Sequence, residues 1–239
     1  MTTRPTDGAA SAAPVFSAHD RRITCVHEAA HAVVASLGGL FVYSVEAAPV
    51  GATDWTTTGR KGGVVSDVWG LCSTSDLAAP YSLALRWNAD ESTLEVNRAI
   101  VHQYLAILAR PYRAECYRAA RAYVCMALAG PIAESILAGE DPPYWPESEA
   151  YWIGSPDDVH VAESVARLLP FRNELDHAIE VTTAELVEHW DRVIRVADAL
   201  EQAGKLEDEL EHLLTYPAKR PPTWPPSPRS VRRGKEVQQ

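Results

Sequence analysis

The chain has 239 residues, 46% apolar and 23% charged, with a formal net charge of −10. The length suits one domain with a sizeable core, the composition is ordinary for a soluble globular protein, and the acidic balance argues against a nucleic-acid surface on the folded part. No apolar run is long enough to cross a bilayer, and the N-terminus lacks the basic start and apolar stretch of a signal peptide. The four cysteines show no C-x-x-C spacing, so reduced, mostly buried thiols in a cytoplasmic protein are expected.

Residues 1–17 are rich in Thr, Ala, Pro and Gly and read as a disordered N-terminal segment. Ser17 with Asp20 three positions on resembles a capping box, and the apolar run behind it predicts a helix. Gly38-Gly39 ends that helix, because glycine takes the left-handed conformation of a C-terminal cap. The helix carries His27-Glu28-Ala29-Ala30-His31, an H-E-x-x-H pattern. At about 100° per residue the two histidines lie ~40° apart on one face and ~6 Å apart along the axis. Imidazoles so placed reach a single zinc ion (Zn2+) through bonds of about 2 Å. Glu28 lies ~100° further round from His27, too far for an easy third ligand but suited to deprotonate a water that the metal acidifies. Cys25, two residues before His27, points elsewhere on the helix and reads as packing.

Beyond this helix, Leu40 to Glu46 alternates as a strand does, and Gly62 to Ser66 is a second short strand candidate after a Gly/Thr-rich turn. Together they predict a small β-hairpin or sheet beside the H-E-x-x-H helix. Leu71 to Ser92 reads mostly as loop. Helical periodicity returns from Thr93 to Ala109 and again from Pro111 to Leu128. Gly130-Pro131 predicts a kink or restart, and Gly139 a stop. Asp141 to Pro156 is a loop rich in proline, tyrosine and tryptophan. Asp157-Asp158 opens a helix to Leu169, with acids where the helix dipole favours them. Asn173 to Ala203 reads as one long amphipathic helix, and Lys205 to Leu214 as a short last one. Residues 216–239 form a Pro-rich basic tail, solvated, with docking to a partner as its alternative use. The fold class is therefore mainly α with a small β element.

A catalytic zinc site needs a third protein ligand, with the fourth position left to water. Two acids far downstream qualify: Glu134, within Ala129-Gly130-Pro131-Ile132-Ala133-Glu134, and Asp158, at a helix start.

Three blocks in order resemble the proteolytic domain of the FtsH family of zinc metallopeptidases. His27 to Val33 is the first. Ala129 to Glu134 is similar to that family's L-G-G-R-x-A-E block, and Gly154 to Ala166 to its G-A-x-x-D-x-x-x-A-T-x-x-A block. Trp190 to Leu214 resembles its C-terminal helices. The likeness covers roughly residues 18–215, with 51–128 divergent and readable as an insertion that gates the site. It implies a helical zincin-like fold, Asp158 as third zinc ligand, and Glu134 as the residue that holds a ligand histidine in its tautomer. It also implies a substrate-pairing strand edge at Gly63, Val64 and Val65. Ala30 and Pro131 depart from the family's usual glycine and arginine. The sequence holds no G-x-x-x-x-G-K-[ST] phosphate loop and no membrane anchor.

The expected function is an ATP-independent zinc metallopeptidase acting on flexible or unfolded protein segments, oligomeric or not. The alternative is a zinc-containing binding or regulatory module that kept the fold without proteolysis.

Overall fold

The computed structural model describes residues 15–66, 68–88, 93–140, 156–215 and 224–228. Its first helix, α1 (Ala18–Leu37), starts where the capping box places it: Asp20 N–H donates to Ser17 Oγ at 3.1 Å, and Ser17 N–H donates to Asp20 Oδ2 at 2.9 Å. From Cys25 to Ala35 every residue of α1 is buried, so this is the central helix of the fold rather than one with a solvent face. Against it pack α4 (Arg110–Ala138), α7 (Trp190–Ala203) and a three-stranded antiparallel sheet of order β4-β1-β7. Buried alanines are frequent on both α1 and α4, including Ala29, Ala30, Ala122 and Ala129. Small side chains let the helix axes approach toward the short end of the usual ~8–10 Å. The remaining helices are α2 (Ala79–Ser82), α3 (Arg98–Ile107), α5 (Pro156–Ala166), α6 (Glu174–Glu188) and α8 (Leu210–Leu214). The described chain is mainly helical, with small antiparallel sheets.

The sheets differ from the sequence expectation. Strand β1 (Val42–Ala47) forms as expected, but its partners are β4 (Gly70–Thr74) and β7 (Lys205–Leu206). The strand expected beside it, β3 (Val64–Ser66), pairs instead with β2 (Thr56–Thr58) in a separate hairpin. The stretch read as loop holds β4, α2 and β5 (Leu85–Asn88), and β5 pairs with β6 (Thr93–Val96) at the start of the expected helix. These strands are short, and their ladders run to remote or hairpin partners that local periodicity cannot register.

Three helix boundaries also move. α4 runs through Pro131 without interruption. The lost backbone bond costs about 3 kcal/mol, and burial of Leu128 and Ile132 beside it, at ~1.5–3 kcal/mol each, outweighs that. The expected long helix from Asn173 breaks at His189 into α6 and α7, with neither Gly nor Pro to mark the break. Lys205 and Leu206 leave the expected last helix to pair with β1. By length and composition α4 could span a bilayer, contrary to the reading of the sequence, yet 78% of its most apolar window is buried inside the protein, as in a core helix.

Both expected disordered ends hold ordered residues. Phe16 is buried and stacks on Trp69 with ring centroids 4.6 Å apart. Trp224 is buried in the core cluster. The aromatic loop at residues 141–155 and most of both terminal segments lie outside the described residues.

Candidate metal centre

The helical spacing of His27 and His31 brings their Nε2 atoms to 2.9 Å, with the rings edge-on at 76°. Each ring is fixed by its other nitrogen. His31 Nδ1–H donates to the Met126 carbonyl oxygen at 2.6 Å, and His27 Nδ1–H donates to Glu134 Oε1 at 2.7 Å. A carbonyl accepts only, so Nδ1 of His31 carries the proton and Nε2 keeps its lone pair for a ligand. Both partners come from α4, which ties the two histidines of α1 to one helix. The approach is so close that a Cβ on Gly130 would fall inside the His27 ring. Glycine is required there by space alone.

Asp158 arrives from the first turn of α5. Its Oδ2 lies 3.1 Å from His27 Nε2 and 3.4 Å from His31 Nε2. Three electron-pair donors thus converge within 2.9–3.4 Å, an arrangement that a cation among them would stabilise. Zinc bonds of about 2.0–2.1 Å make a tetrahedron with edges of about 3.3–3.4 Å, so the triad fits after an opening of a few tenths of an ångström. Two imidazoles and one carboxylate also leave a fourth position to water. His27, His31 and Asp158 form a largely buried group able to hold a metal ion.

Proton positions follow the same logic in the metal-free chain. Burial opposes charge on His27, but the hydrogen bonds to Asp158 and Glu134 outweigh it and hold the imidazole pKa well above 6.5. Burial would raise Asp158, yet positive charge on the imidazole pair and the hydrogen bond from His27 hold its carboxyl well below 3.8. A proton shared among the three does what a cation would do.

Glu28 is 7% exposed and faces the start of β4, where a methyl group on Gly70 would lie 2.5 Å from Glu28 Oε1. Burial raises its pKa above 4.5, partly offset by the His27 and His31 charges. Among the described residues none hydrogen-bonds its carboxylate. It stands beside the triad as a buried, unengaged acid–base group.

Glu28, His27, His31, Asp158 and Glu134 therefore meet at one place. Gly63, Val64 and Val65 do not belong to the strand that flanks it: Val64 is exposed in the β2–β3 hairpin, and the strands packed on α1 are β1 and β4. Sequence reasoning missed the Met126 carbonyl, Gly130 and Gly70; only Gly130 had a signal, as the glycine of the second block. A second acid–imidazole group, Glu185, Glu188 and His189, lies partly exposed on α6, with Glu185 already accepting from the Trp224 indole. Compared with known protein families and with curated proteins, the chain matches none.

Proposed function

We propose that this chain is a zinc-dependent peptidase of the zincin type, similar to the FtsH proteolytic domain and working without ATP on flexible protein segments. The observation that carries this reading is the pairing of a three-donor metal cradle with a buried carboxylate, Glu28, that is not itself a ligand. A bound zinc ion supplies a Lewis acid that lowers the pKa of water toward about 7 and polarises a substrate carbonyl.

The chain's own residues do the rest. Glu134 and the Met126 carbonyl hold both imidazoles with Nε2 inward. Asp158 adds the negative charge that a divalent ion prefers. Glu28 takes the proton of the attacking water on a carboxylate oxygen and returns it to the leaving amide nitrogen. Its raised pKa suits both halves of that transfer. β4 is an edge of its sheet and begins against Glu28, so an extended peptide adding to that edge would carry its carbonyl toward the site.

Glu28→Gln tests this directly with unfolded casein as substrate. The variant keeps its metal and loses at least ~10² in rate, because general-base removal costs that order. The parent's cleavage stops with a chelator. Equal cleavage by variant and parent removes Glu28 from the reaction. No cleavage by a metal-loaded parent leaves a metal-containing binding module.

A further inference from the structure

Trp224 to Pro228, in the sequence Trp-Pro-Pro-Ser-Pro, are seated in a groove between α4 and α6 that ends at the C-terminus of α1. The groove is built for them. His177, Val181 and Glu185 stand four residues apart on α6 and therefore share one face. At one end of that face the Trp224 indole N–H donates to Glu185 Oε1 at 2.9 Å. At the other, His177 Nε2–H donates to the Pro226 carbonyl at 2.9 Å, from an imidazole only 6% exposed. Pro225 and Pro226 close over Val181 and Cys125, leaving a void of about 10 Å³, at the lower limit for a single water. The indole edge rests on Gly38, where a Cβ would stand 3.2 Å from Trp224 and 2.7 Å from the Ala122 Cβ.

The polar chemistry selects this sequence. Prolines bring no backbone N–H into the groove, so a groove-side donor is what their carbonyls need, and His177 supplies it. The groove's acceptor, Glu185, is aimed at the indole N–H of Trp224. Proline's fixed φ keeps such a segment stiff, so that it loses little entropy on binding.

We propose that the α4–α6 groove is a recognition site for Trp-Pro-Pro peptides, filled in the resting chain by its own residues 224–228 and able to take the same sequence from a separate molecule. The segment is tethered through residues 216–223, and a short tether gives an effective concentration on the order of 1 mM. A tenfold preference for the seated state then requires an intrinsic Kd of about 0.1 mM or tighter. The groove is independent of the metal centre, and its failure would leave the peptidase reading untouched.

The probe is the fluorescent octapeptide Pro-Pro-Thr-Trp-Pro-Pro-Ser-Pro, residues 221–228, titrated against the full chain carrying Trp224→Ala. That variant binds the peptide saturably at about 0.1 mM or tighter, and the parent, with its own segment seated, binds at least about tenfold more weakly. Alanine in place of tryptophan in the peptide, or Glu185→Ala added to the chain, weakens binding at least about tenfold. Equal binding by parent and variant, or indifference to both changes, overturns the proposal. Where Trp224→Ala does not fold, a protease site placed within residues 216–223 of the otherwise intact chain decides the matter. After cleavage the fragment from residue 224 onward co-migrates with the folded body at ~1 mM. Release of the fragment from a folded body overturns the proposal.

Discussion

Gly130 shows how tightly the metal centre is specified by single atoms. Its hydrogen faces the His27 ring with no room for a methyl group, so Gly130→Ala, which helix propensity alone favours by about 1 kcal/mol, displaces a metal ligand instead. Zinc affinity measured by competition with a chromophoric chelator drops at least ~10-fold, and Glu134→Gln loses ~10–100-fold through the freed His27 ring. The same ring sets the pH response. In the metal-free chain His27 titrates above its ordinary 6.5, and the stability it contributes is complete below that value and lost as pH rises through the raised pKa. Asp158 titrates below its ordinary 3.8, so its contribution is present above that value and lost as pH falls through the lowered pKa. The metal-free melting temperature therefore peaks between about pH 4 and 6.5, and the rise on adding zinc grows above that window as His27 gives up its proton. A zinc-induced rise that is flat with pH would remove His27 from the ligand set. His27, Glu28 and His31 were readable because a helix turns spacing into direction. The Met126 carbonyl was not, since every residue carries one and only the fold says which is reachable.

Among the helices, α4 does the most positioning: it supplies Met126, Gly130 and Glu134 along one face and is joined to α6 by a buried ion pair. Arg121 Nε and Nη2 donate to Glu174 at 2.8 and 2.7 Å, with the Glu174 side chain only 2% exposed. Glu174→Ala strands a buried guanidinium and destabilises the fold by about 3–5 kcal/mol in denaturant unfolding, whereas Arg121→Leu with Glu174→Leu recovers most of the loss. Recovery by neither single nor double replacement would mean the pair fixes a structure that packing cannot. Periodicity found α1 and α4 because each has a buried face several turns long, and α3 because Val101 and Leu105 repeat at helical spacing. It ran through the break at His189 because the turn there follows from how α7 must lie on α1, a tertiary demand with no local residue marker. It passed over β4 for the opposite reason: five half-buried residues acquire meaning only once β1 lies beside them.

For the molecule as a whole, α1 is the hub, and the two acids that complete the metal centre, Glu134 and Asp158, come from points more than a hundred residues beyond His27 in sequence. That is why the resemblance to a known peptidase, and not periodicity, singled out Asp158. Arg21 and Arg22 add ties from α1 to α7, through the Glu201 carbonyl at 2.9 Å and the Asp198 carboxylate at 2.6 Å. The buried thiols fit the same compact core: burial pushes Cys25 up to about 11 and Cys125 up to about 12, so neither reacts with a thiol reagent at pH 8 until the chain is unfolded. Labelling of either in the native protein would contradict the packing of α1 against α4. The central claim is that His27, His31 and Asp158 close on one metal ion, and metal content per chain by mass spectrometry of purified parent, Asp158→Ala and Glu28→Gln proteins tests it most directly. The parent holds about one zinc per chain, Glu28→Gln keeps it and Asp158→Ala loses it; zinc absent from a zinc-supplied parent, or undiminished in Asp158→Ala, would rule the shared site out.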